Sequence, residues 1–330
     1  MKEILFSLNI VLPMAILLAM GYVFQRMGLM TREYIKTSNK LCFYVFLAAS
    51  LFKNLYDSTL SSFPYRMILF VVVMILLQFS ASVVAGKQLS EKRNETGVII
   101  QGTTRSNFAY VGIPLSTMMF SDAALVAKTT STVSMLSIVV IPLFNILAVT
   151  ALTYFGSEKA EGKMFERTLR NLLRNPCILS VMAGVAVLLF RMAVPSASFL
   201  MRDRLPFLYK VLGYLAAMST PFALILVGAG LDFSHSISNR KKLSVVVLLK
   251  TLIFPSVILF VAYLTGWFEN TDFAALISLF GAPTAVASAV MATEMKGDGE
   301  LANEIVVYTT LFSVFSLIVL IFILKTVGCL

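Results

Sequence analysis

Long apolar runs recur from one end of this chain to the other, and they limit its fold more than any other feature. They cover 4–24, 38–55, 65–86, 96–119, 123–155, 176–195, 207–231, 243–266, 271–292 and 300–326. A helix needs roughly 20 such residues to cross a ~30 Å hydrocarbon layer. Inside lipid every backbone amide and carbonyl must find a partner, which a helix supplies from within itself. The runs therefore predict an all-α polytopic membrane protein with ten transmembrane helices. Composition agrees, since 58% of the 330 residues are hydrophobic and 13% charged, against about 25% charged in soluble domains. The first run is too long for a secretory signal core and no small-residue cleavage site follows it, so it is read as the first span, with Pro13 tolerated inside it.

The formal net charge is +10, but the basic residues flank apolar runs rather than forming a soluble basic face. That argues against nucleic acid and for orientation by cytoplasmic positive charge. Lys and Arg gather in the loops after odd-numbered spans: Arg26, Arg32, Lys36 and Lys40, then Lys87, Lys92 and Arg93, then residues 156–175, then Arg240 to Lys242. This bias places both termini outside the cytoplasmic membrane, with the group from Arg191 to Lys210 running against it. Cys42, Cys177 and Cys329 show no metal-ligand spacing and the single histidine, His235, lies in a polar loop, so neither a metal nor a cofactor is expected. The expected partners are the bilayer and a small substrate, and a homodimer is allowed.

Residues 156–175 form the one long polar linker, with Phe165, Leu169, Leu172 and Leu173 at helical spacing among basic residues. They predict an amphipathic helix on the cytoplasmic surface. The linker separates residues 1–155 from 176–330, five spans each. An odd number of spans per half inverts the second half in the membrane. The fourth span of each half carries the same interruption, Gly112-Ile-Pro114 and Gly281-Ala-Pro283, and the fifth spans share Thr130, Ser134 and Ser137 against Thr309, Ser313 and Ser316. Paired Gly/Pro-broken helices at matching places point to an inverted-repeat transporter with its site at the breaks.

The breaks should leave backbone groups free in mid-membrane, and half-helix N-termini brought together there favour an anion. Arg105 and Asn107 precede the first break. A buried arginine needs an offsetting partner. It serves either as an anion clamp or as the mate of a structural carboxylate, for which Asp232, Glu304 and Asp57 are the candidates. Asn107 offers a donor and an acceptor to a substrate, or to a neighbouring helix. Asn145 in the fifth span reads as a substrate contact or a helix–helix bond, with the structural role favoured. Lys250 reads as snorkelling to the cytoplasmic interface or pairing with Asp232. Ser116, Thr117, Thr284 and Ser288 sit where they can line the breaks or re-satisfy local backbone. The substrate-binding residues expected are Arg105, Asn107, Gly112, Pro114, Gly281, Pro283 and Thr284.

An intramembrane enzyme would need paired aspartates, Ser with His, or a His-Glu metal set inside spans, and the sequence has none of them. A cation–proton antiporter of similar architecture would need carboxylates in the crossing spans, which carry Arg105 instead. A membrane sensor without transport would bind a ligand without counterflow. Arg105-Ser-Asn107 with Gly112-Ile-Pro114, together with Gly281-Ala-Pro283 and Glu300-Leu-Ala before the last span, resembles the auxin efflux carrier family, plant auxin exporters and bacterial carboxylate permeases among them. The likeness runs over essentially the whole chain, and its most specific part is Asn-x4-Gly-Ile-Pro. Phe46-Leu-Ala48, where relatives often have Leu-Pro, and a last span without proline depart from the pattern. The resemblance implies two inverted repeats, a scaffold and a transport subdomain, fourth and ninth helices crossing at their prolines, and a carboxylate moved by an elevator-like displacement. It also implies that Asn107 and the backbone around Pro114 and Pro283 line the site.

Overall fold

The computed structural model describes residues 2–57, 64–155, 176–193, 200–231 and 240–330. The linker 156–175, Asp232 and His235 lie outside the described residues. In chain order the helices are α1 (Lys2–Arg26), α2 (Arg32–Leu41), α3 (Ala48–Tyr56), α4 (Tyr65–Leu89), α5 (Arg93–Thr104), α6 (Ile113–Met118), α7 (Ala123–Phe155) and α8 (Pro176–Ala193). They continue as α9 (Leu200–Arg204), α10 (Pro206–Ala229), α11 (Arg240–Leu248), α12 (Phe254–Thr265), α13 (Asn270–Phe280), α14 (Ala287–Glu294) and α15 (Gly299–Thr326). No strand occurs among the described residues beyond one isolated bridge, Ser106 to Thr284.

Six helices among the described residues are long and apolar enough to cross a membrane: Glu3–Arg26, Tyr65–Leu89, Ala123–Tyr154, Pro206–Ala229, Arg240–Thr265 and Gly299–Thr326. The fifth of these joins α11 to α12 through a π-helical turn, Leu249–Ile253. A second π turn, Cys42–Leu47, joins α2 to α3. The combined α2–α3 helix starts at Arg32, ahead of the apolar run expected from residue 38, because Thr31 caps it by accepting from the Tyr34 amide. The early turns are amphipathic, so hydropathy alone misses them.

Helix packing explains which faces are buried. α1 lies along α10, and two glycines set the distance between them. A Cβ added to Gly228 would sit 1.9 Å from the Leu18 carbonyl oxygen, and one added to Gly21 would sit 1.9 Å from that of Ile225. Small residues let backbones approach where no hydrophobic effect drives association in lipid. α3 packs on α8 and α10, while α5 lies between α4 and α7, and α15 covers α11 and α14. The main apolar core runs from Val11 and Met14 on α1 through Leu51 and Leu55 to Ile277 and Ile321. Outward residues such as Leu69, Tyr214, Phe260 and Phe315 stay exposed, as suits a surface solvated by lipid.

Candidate functional site

Two helices are interrupted in the middle of the molecule, and their gaps meet. α5 stops at Thr104; Arg105 is extended, with φ −72° and ψ 124°. α13 stops at Phe280, and α14 begins only at Ala287. The two gaps cross antiparallel at Ser106 and Thr284, and the Asn107 amide donates to the Pro283 carbonyl at 2.7 Å.

Ending a helix inside the membrane orphans its last carbonyls, so those carbonyls must be accounted for. The two crossing hydroxyls do this reciprocally. Ser106 Oγ donates to the Leu279 carbonyl at 2.6 Å, and Thr284 Oγ1 donates to the Gly102 carbonyl at 2.6 Å. Gln78 on α4 donates to the Thr103 carbonyl at 2.8 Å. The Thr284 amide in turn donates to Thr309 Oγ1 on α15 at 3.2 Å.

This placement corrects one expectation. The first helix breaks at Arg105–Asn107, not at Gly112-Ile-Pro114, so the two helices do not both cross at their prolines. Only Pro283 lies in the crossing. After Asn107 the chain resumes as a π turn, Phe108–Gly112, and runs on into α6, with Pro114 in its first turn. A proline lacks one amide and is tolerated where a helix begins again. Gly112 serves close packing instead of bending, because a Cβ there would lie 2.3 Å from the Ser278 carbonyl oxygen.

Beside the crossing is a cavity of about 460 Å³, within the range of small-molecule sites. Of the residues expected to bind substrate, Arg105 and Asn107 line it; Gly112, Pro114, Gly281, Pro283 and Thr284 do not. Pro283 and Thr284 lie in the crossing, Gly281 at the end of α13 leads into it, and Gly112 and Pro114 belong to the helix that resumes after it. Arg105 Nη2 donates to Asn145 Oδ1 at 2.7 Å and Nη1 approaches Met291 Sδ at 3.1 Å. Among the described residues no carboxylate pairs with it, so Asp57 and Glu304 are not its mates. Asp57 is held instead by Lys53 and Tyr209. Asn107 is buried, and its Nδ2 has no acceptor among the described residues. Asn145 also lines the cavity, where its own amide donates to the Ile141 carbonyl at 3.0 Å and its oxygen accepts from the Arg105 guanidinium.

The rest of the wall is mainly apolar, and sequence reasoning missed Ile35 and Asn39 on α2 and Phe43 in the π turn that follows it. The Phe43 and Tyr110 rings lie parallel at 2° with centroids 6.2 Å apart, and the Tyr110 hydroxyl donates to the Asn39 carbonyl at 3.2 Å. Nothing in the spacing of α2 signals this contact, which depends on tertiary packing. Residues 106–110 and 285–287, where both interrupted helices resume, also line the cavity. Each carries amide groups that the helix itself leaves unpaired.

A multi-pass helical protein with interrupted helices crossing beside a largely apolar cavity that carries Arg105 and Asn107 falls in the class of membrane transporters. The chain belongs to the membrane transport protein family, that of the auxin efflux carriers, whose model matches residues 6–321. It is similar to an uncharacterized transporter of Methanothermobacter thermautotrophicus, 22% identical over 319 residues, covering 94% of this chain and 96% of the relative. It is also similar to the uncharacterized transporter MJ1031 of Methanocaldococcus jannaschii, 22% identical over 232 residues and 69% of each chain.

Proposed function

We propose that this transporter moves a small organic anion bearing a carboxylate across the cytoplasmic membrane, by alternating access of the elevator type. The observation that carries the reading is the Arg105 guanidinium, which faces the cavity with an amide and a thioether for partners and no carboxylate among the described residues. A central arginine costs at least ~2.5–3.5 kcal/mol on insertion scales, and one neutral hydrogen bond offsets only part of that. An incoming carboxylate completes the pairing and accepts from a planar donor fork. Two resuming helix ends on the same wall add positive dipole ends of the same sign. Among the described residues no Asp or Glu lines the cavity, which weighs against a cation–proton antiporter.

In this reading residues 1–155 and 176–330 are two inverted five-helix repeats, and both termini lie outside. α1, α2–α3, α8 and α10 form the scaffold, and the helices tied to the crossing form the moving body. Support for one moving body comes from the reciprocal bonds that bind the two interruptions together.

The test uses the purified full chain in detergent and in proteoliposomes, with benzoate, L-lactate and L-malate as probes. At least one probe raises the melting temperature and is taken up, and Arg105→Gln weakens its apparent affinity by about 30-fold, roughly 2 kcal/mol. Absence of both stabilisation and uptake with every probe would reject the carboxylate assignment.

A further inference from the structure

Lys250 stands at a place in this molecule where a charge is hard to keep. It is the eleventh residue of the helix Arg240–Thr265, about 15 Å from one end at 1.5 Å per residue, which is mid-depth in a ~30 Å core. Sequence reasoning expects its ammonium to snorkel to the interface or to pair with Asp232. It does not snorkel: the side chain is 1% exposed, among the largest fully buried in the protein. No hydrogen bond or ion pair reaches it among the described residues. It lies in the π turn Leu249–Ile253, which packs against α5 and α15, the helices that hold the crossing in place. Pi turns of this kind recur at functional sites.

The charged and titratable groups on the packed elements are few. α5 brings Arg93 and Glu95 at its first turn, where Glu95 is engaged by Lys242, Lys92 and Ser90. α15 brings Glu300 in its first turn, buried Glu304, Tyr308, and Lys325 at its far end. The helix of Lys250 itself brings Arg240, Lys241 and Lys242 at one end and Tyr263 towards the other. None of them forms an ion pair with Lys250.

A fixed positive charge already stands at the cavity. Arg105 cannot give up its proton under physiological conditions, so it supplies attraction and no exchange. A lysine amine can bind and release one. We propose that Lys250 is the proton site of the transport cycle. This rests on the carboxylate-transport reading. The amine is neutral while the substrate cavity is empty. As the carboxylate enters, Lys250 takes one proton from water on that side and becomes an ammonium. Carboxylate and ammonium then cross together, and on the far side the proton returns to water as the anion leaves. One proton accompanies each anion, and the charge of one carboxylate is cancelled.

The experiment reconstitutes the full chain in liposomes with trapped pyranine and supplies labelled benzoate or L-malate. Wild-type uptake acidifies the interior at one proton per anion and accelerates when the interior is made alkaline. In Lys250→Met, uptake driven by an inside-positive potential continues while proton movement per anion falls about tenfold or more. Lys250→Arg, which stays charged, also loses the response to the pH gradient, and serves as the readout should the methionine variant fail to fold. A wild-type proton-to-anion ratio in the folded variants overturns the proposal and leaves carboxylate transport standing. So does wild-type uptake without proton movement. No uptake of benzoate, L-lactate or L-malate by the wild type removes the carboxylate reading and this proposal with it.

Discussion

Thr284→Val tests whether the crossing is held by its hydroxyls or only by apolar packing. The substitution keeps the branched shape and deletes one oxygen, so packing volume is nearly unchanged. What it removes is the 2.6 Å bond to the Gly102 carbonyl and the oxygen that makes it, at a residue with 0% exposure. A buried carbonyl left without a donor costs ~1–3 kcal/mol. Ser106→Ala does the same to the Leu279 carbonyl. With ~2.1 cal/mol/K per residue, 330 residues give an unfolding entropy of ~0.7 kcal/mol/K, so each variant should melt roughly 1.5–4 °C lower. The comparator is Thr150→Val. Its hydroxyl is exposed and donates at 2.8 Å to the Ile146 carbonyl of its own helix, which keeps its ladder partner. Thermal unfolding of the three variants and the double variant in one detergent decides the matter. Because both hydroxyls serve one crossing, the double variant should depart from additivity. Equal melting of Thr284→Val and Thr150→Val would show that the crossing needs no hydroxyl.

Three further outcomes are expected. Gly228→Ala should lower stability by ~1–3 kcal/mol, because its new Cβ meets backbone, not a movable side chain. Gly213→Ala on the same helix, where the nearest atom is Lys53 Cε at 3.8 Å, should be neutral, and paired melts separate the two. Glu95, ahead of the apolar stretch of α5, is raised by burial but more strongly lowered by hydrogen bonds from Lys242, Ser90 and Lys92, and sits at about 2. A folded value below the unfolded ~4.3 stabilises fully above that pH and is lost as pH falls towards 2. Glu95→Gln should therefore melt below the wild type at pH 7, with the gap closing in acid; a gap independent of pH would contradict the assignment. Asn145→Leu should loosen the Arg105 guanidinium and weaken probe binding less than Arg105→Gln does, measured by the same thermal shifts.

The parts of this molecule legible in its sequence are those governed by the bilayer. Spans follow from run length, and a polar wall in the fourth span follows from Arg105 and Asn107 standing in an apolar stretch. The second interruption was also legible, because Pro283 cannot sit inside a regular ladder. The exact site of the first was not. Gly112-Ile-Pro114 shares the Gly-x-Pro pattern of Gly281-Ala-Pro283, but a π turn ahead of Pro114 absorbs its missing amide, and a π turn likewise precedes Pro255 in the Lys250 helix. Such turns leave no pattern in hydropathy. The wall from α2 and the π turn after it escaped for another reason: Asn39 and Phe43 meet Tyr110, which is 71 residues from Asn39 in the chain. Of the two residues best placed to face the cavity, Arg105 and Asn107, both were legible from their polarity alone.

The reciprocal bonds of the crossing also bear on how the protein is made. Ser106 finds its acceptor 173 residues later in the chain, and the donor to Gly102 arrives 182 residues after it. The first half of the chain therefore enters the bilayer with the end of α5 incomplete. Until the second half is inserted, the Gly102 carbonyl must be hydrated or lent a partner by the insertion machinery. A chain arrested between α7 and α13 is one with an open wound at mid-membrane, and it should be a preferred target of membrane quality control.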